Sequence, residues 1–162
     1  MTYLILSFAT IPVLIFLSVQ DFKERMIYSF PVLFLSGGWA MYSVMLYRDN
    51  LMLLIPAWTM TIALYAAYKV WSVWGDGDSD MFLLFTGIIL CTFDIRNMLQ
   101  FGFMISIFLV IAQVVALISG LIEAAIKKRK LDRHSDLAVV PGFAVILITV
   151  IIWGITREVS FV

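Results

Sequence analysis

The sequence predicts an all-α fold: a polytopic membrane helix bundle of about six transmembrane helices, with both termini outside. Three observations predict it. Of 162 residues, 63% are hydrophobic and 14% charged, with mean hydropathy +1.04, whereas a soluble domain is about 45–50% apolar and about 25% charged. Apolar runs of the roughly 17–25 residues that cross a hydrocarbon core of about 30 Å recur along the whole length. Residues 1–162 are therefore read as one integral-membrane domain. The runs are apolar on every side instead of alternating, which disfavours a β-barrel.

The first run, about Tyr3 to Val19, carries its charges behind it, at Asp21, Lys23, Glu24 and Arg25. A signal peptide would carry positive charge in front, so a retained helix is expected, bent at Pro12. The second run spans about Tyr28 to Tyr47, with Pro31 where a first turn accepts proline. The third, about Leu51 to Trp74, ends in Tyr65, Tyr68, Lys69, Trp71 and Trp74, read as an interfacial aromatic belt with a snorkelling lysine.

Between the third and fourth runs lies Trp74-Gly75-Asp76-Gly77-Asp78-Ser79-Asp80, which holds three of the eleven acidic residues within five positions. Ionisable groups beside hydrocarbon are costly and mark function. The fourth run, Met81 to Phe93, is short. Fourteen steps from Asp80 to Asp94 make roughly 21 Å of helix, less than the bilayer core of about 30 Å, so either the bilayer thins locally or, the reading favoured here, the acidic end lies below the membrane surface in a water-filled, protein-lined site. The fifth and sixth runs cover about Met98 to Ile126 and about Leu137 to Thr156. Gln113 and Ser119 are read as interhelical hydrogen-bonding residues. Glu123 is read as the helix-end partner of Lys127, and Cys91 as a small buried hydrophobe.

Six crossings sort the basic residues unequally. One side receives Lys23, Arg25, Lys69, Lys127, Lys128, Arg129, Lys130 and Arg133, eight in all, and the other Arg48, Arg96 and Arg157, three. The positive-inside rule then places the Asp21 loop and the Asp76–Asp80 loop together on the cytoplasmic side of the cell membrane.

Which chemistry suits these acids follows from elimination. Asp76, Asp78 and Asp80 open like a calcium loop, but glycine at its sixth position and glutamate at its twelfth are replaced by Met81 and Gly87. No metal is expected. Gly75 and Gly77 match no phosphate-binding loop and three carboxylates repel phosphate, so neither a nucleotide cofactor nor a nucleic-acid partner is expected. Nucleophilic schemes lack a base: the one histidine, His134, stands in the basic loop. A carboxylate pair remains, with Asp21 as the natural partner of the acidic stretch. Two close aspartates share a proton, so that one activates water while the other protonates the substrate, which requires no cofactor.

Gly75-Asp76-Gly77-Asp78 at the cytoplasmic start of a transmembrane helix, with Asp21 followed by Lys23, Arg25 and Ile27 at the end of the first, resembles the type IV prepilin peptidases and archaeal preflagellin peptidases, the GxGD membrane aspartyl proteases. The resemblance covers the first four helices. It implies that Asp21 and Asp78 form the catalytic pair, that Gly75 and Gly77 are close-approach positions, and that the activity is removal of the class III leader from prepilin-like or preflagellin-like precursors. It departs in Asp80, which stands where relatives commonly carry a basic residue, and in Val140-Pro141-Gly142, which matches their proline segment in part. The chain lacks the cysteine-rich insert of the longer bacterial members and is similar to the short, peptidase-only type.

Lys23 and Arg25 favour an ionised Asp21, whereas Asp76 and Asp80 favour a protonated Asp78, so Asp21 is expected as general base and Asp78 as acid. Asp80 in a first turn is read as complementing the helix dipole. Two other functions compete: an ion-coupled transporter or channel component, which needs acids at the midplane of several helices, and a non-catalytic protein that binds pilin-like helices during assembly.

Overall fold

The computed structural model describes residues 1–24, 27–71, 76–126 and 140–160, and for 76–78, 123 and 158–160 the backbone alone. Six helices follow in order: α1 (Thr2–Glu24), α2 (Ser29–Leu46), α3 (Leu51–Val70), α4 (Asp76–Thr92), α5 (Met98–Ile126) and α6 (Val140–Ser160). Among the described residues there is no strand. Five of the helices formed by the described residues are long and apolar enough to cross a membrane; the exception is α4, whose apolar part spans only Ser79–Thr92. The protein is an all-α membrane bundle.

That shortest helix is the centre. It packs against α2, α3, α5 and α6, while α1 closes on α2 and α6. Met81, Phe82, Leu84, Phe85, Ile88, Ile89 and Leu90 are all buried, whereas the longer helices turn Phe8, Phe34, Met52, Phe103 and Trp153 outward. A helix that is apolar all round belongs inside such a bundle, and side chains facing lipid have no reason to turn away from it.

Small residues set the close crossings. A Cβ on Gly87 would lie 2.9 Å from Trp39 Cβ, so α4 approaches α2 there, and Cys91 Sγ, one turn on, donates to the Trp39 carbonyl at 3.5 Å. The Cys91 side chain is thus partly buried and polar in its contact, not merely a packing hydrophobe. A Cβ on Gly142 would lie 2.6 Å from the Ala112 carbonyl oxygen and clash with Ala116, which brings α6 onto α5. Each approach gains dispersion contact along two backbones, the main attraction available between helices in lipid.

Buried polar groups pair across helices. Trp39 Nε1 donates to Thr10 Oγ1 at 2.9 Å, linking α2 to α1. Trp58 Nε1 donates to Ser43 Oγ at 3.0 Å, linking α3 to α2. At the end of the bundle that holds the N-terminus, Tyr3 Oη and Thr92 Oγ1 are 2.9 Å apart, and Tyr3 also donates to the Ile151 carbonyl at 3.4 Å. At the same end the Tyr47 hydroxyl donates to the carbonyls of Leu90 and Phe93, each at 3.2 Å, which satisfies groups left open as α4 stops.

Several boundaries and contacts differ from the sequence reading. Helix α1 continues through Asp21 to Glu24, so Asp21 stands in a last helical turn and not in a loop. Helix α4 begins at Asp76, which puts Asp80 one full turn inside it. Ser119 donates to the carbonyl of Ala116 in its own helix at 2.8 Å, and Gln113 faces outward. Lys127–Lys130, Arg133 and His134 lie outside the described residues, as does the Glu123 side chain.

Candidate active site

The end of the bundle opposite Tyr3 gathers the last turns of α1 and α3 and the first turns of α4 and α6. Asp21 is nearly buried, 7% exposed, and its Oδ2 accepts a hydrogen bond of 3.1 Å from the backbone N–H of Val140, the first residue of α6. A helix N-terminus leaves its first N–H groups unpaired and carries partial positive charge, so a carboxylate docked there is held electrostatically and geometrically. Pro141 follows, in the first turn, where its missing N–H costs nothing. Val140-Pro141-Gly142, only a partial match to a proline segment in the sequence, supplies the donor for Asp21 and the close crossing onto α5.

From the same turn of α6 the bundle reaches α4. Phe143 meets Phe85 edge-to-face, with ring centroids 5.8 Å apart at 87°. Asp78 precedes Phe85 by seven residues, two turns, and so occupies the same register on α4. The beginning of α6 therefore joins the Asp21 turn to α4 at Phe85, two turns beyond the Asp78 backbone. The backbones of Asp76, Gly77 and Asp78 form the first turn of α4; their side chains, together with Gly75 and Arg25, lie outside what is described. Lys23 is exposed in the last turn of α1, where the Gln20 amide reaches Glu24 at 3.2 Å.

Asp80 has a different environment from the one expected. It is completely buried, and Oδ1 receives both the Tyr65 hydroxyl and Lys69 Nζ, each at 3.0 Å. Lys69 also lies over the Tyr65 ring, 5.1 Å from its centroid. Asp80 Oδ2 is buried with no hydrogen-bond partner among the described residues. Tyr65 and Lys69 are thus not simply a surface belt and a snorkelling lysine: they converge on one carboxylate because they are four residues apart on one face of α3. The dipole role assigned to Asp80 yields to an ion pair. Its charge is balanced by Lys69.

Lys69 is the partner of Asp80 that sequence reasoning missed. The available signal was that it is the one charged residue between Leu51 and Trp74, and a lone cation in a span requires a partner. This end of the bundle thus holds two carboxylate groupings, Asp21 with the Val140 N–H and Asp80 with Lys69 and Tyr65. Comparison with known protein families, with curated proteins and with solved structures finds no match.

Proposed function

We propose that the protein is a membrane aspartyl endopeptidase that removes the class III leader peptide from prepilin-like or preflagellin-like precursors at the cytoplasmic membrane face. Asp21 and Asp78 share one proton; the ionised member takes a proton from water as it attacks the scissile carbonyl, and the protonated member gives its own to the substrate. Gly75 and Gly77 let the peptide backbone approach, and Asp76 and Asp80 with Lys23 and Arg25 shape the field around the pair.

The observation that carries this reading is the placement of Asp21. A carboxylate at the end of a transmembrane helix is nearly buried against the α6 N-terminus, and the same turn of α6 packs on α4 at Phe85, two turns beyond the Asp78 backbone. A solvated loop aspartate would be exposed. Ion-coupled transport is the second reading, favoured by the buried Asp80–Lys69 pair; the pair stands near the start of α4 and not at its midpoint, where a translocated ion would bind.

Co-expression with precursors bearing class III leaders tests the proposal. A mobility shift of the precursor is expected with wild type and is lost with Asp21→Asn or Asp78→Asn. No shift with any such precursor, together with proton flux in liposomes that depends on Asp80, would select the transport reading. A reporter fused after Val162 should be active outside the cytoplasm, as the positive-inside count requires.

A further inference from the structure

Helix α5 carries an unexplained amide. Its 29 residues make it the longest helix, about 43 Å at about 1.5 Å per residue against a core of about 30 Å. Gln113 stands near its midpoint, roughly 20 Å from either end, and is exposed on the outside of the bundle. It makes no hydrogen bond among the described residues. Its primary amide offers two donors and an acceptor with two lone pairs, all facing hydrocarbon that can satisfy none of them.

The surroundings of Gln113 are consistent with a helix contact. Ser106, two turns earlier on the same face, is also exposed and without a partner among the described residues. Gly102, one turn further back, has nothing within 4 Å of where a Cβ would stand, which leaves an open notch beside the serine. Val110 and Leu117 border the line, 56% and 51% exposed.

We propose that this face of α5 pairs with α5 of a second copy of the chain, about a two-fold axis along the membrane normal, with the two Gln113 amides exchanging hydrogen bonds. A carboxamide is self-complementary, since each can donate its N–H to the other's oxygen. The two-fold axis also guarantees the match in depth: copies inserted in the same orientation carry Gln113 at the same level, whereas a different helix would need a polar group placed there independently. Gly102 and Ser106 allow the backbones to approach on one side of the amide pair.

The test is Förster transfer between donor- and acceptor-labelled full-length protein in phosphatidylcholine liposomes, read as the protein-to-lipid ratio is lowered. Wild type should dimerise, Gln113→Leu should weaken the dimer about tenfold, and Gln113→Asn should retain most of it. Ile111→Leu, on another exposed part of α5, should match wild type. Oxidative crosslinking of Ser106→Cys in a Cys91→Ser background, in native membranes, should yield a product of twice the chain's mass. A monomeric wild type, undiminished dimerisation of Gln113→Leu, or a crosslink to a different protein would overturn the proposal.

Discussion

Lys69 and Asp80, on neighbouring helices, form an ion pair of 3.0 Å in which the carboxylate is fully buried and the lysine side chain is 34% exposed. The Tyr65 hydroxyl completes the same oxygen's coordination at 3.0 Å. The pair fastens the end of α3 to the start of α4, immediately after the segment that carries Gly75, Asp76, Gly77 and Asp78.

Removing Lys69 strands a buried carboxylate. Lys69→Met is expected to destabilise the bundle by roughly 3 kcal/mol, the low end for a broken buried pair because the lysine is partly solvated. Adding Asp80→Leu should recover most of that loss. Unfolding in detergent micelles measures both; additive losses would show that the two side chains do not act as a pair.

Asp21 holds a structural and a proposed chemical role that substitution can separate. Asn keeps an oxygen that accepts the Val140 N–H, whereas Ala removes it, so Asp21→Ala should cost about 1 kcal/mol and Asp21→Asn much less. Both should abolish cleavage. Thermal unfolding beside the precursor mobility assay makes the separation, and an Asp21→Asn protein as unstable as the Ala variant would assign Asp21 to the fold.

The α5–α6 crossing depends on Gly142. Any side chain there meets Ala116 and the Ala112 carbonyl, and both are helix backbone or its attached methyl, which cannot swing aside. Gly142→Leu should destabilise by roughly 1–3 kcal/mol and, by moving the first turn of α6, weaken the dock for Asp21. Gly102→Leu, where space is open, should leave the monomer's unfolding unchanged.

How much of this was legible differs by region. The helices were, because apolar runs and their bounding charges report directly on a bilayer: the run from about Met98 to Ile126 is α5, and that from about Tyr28 to Tyr47 contains α2. The shortness of the fourth run was visible too, but its meaning was only partly so. Burial on all sides by four helices depends on which neighbours surround α4, and apolar composition is alike for lipid-facing and core positions. The Asp21–Val140 bond joins residues 119 apart through a backbone donor that every residue but proline has. Lys69 was hidden by its surroundings: beside Tyr68 and Trp71 it has the composition of an interfacial belt, and only the fold turns it to Asp80. Gln113 has the composition signal of an interhelical hydrogen-bonding residue, and the fold places it on the outside of the bundle.

The central claim is that Asp21 and Asp78 work as one catalytic unit, and the most direct measurement is the single-turnover rate of leader cleavage by purified protein reconstituted with a class III precursor. Asp21→Asn and Asp78→Asn should each lower the rate about a thousandfold or more, and the double variant should fall no further, as members of one unit do. Near-wild-type cleavage by either single variant, or a double loss equal to the product of the single losses, would contradict the account.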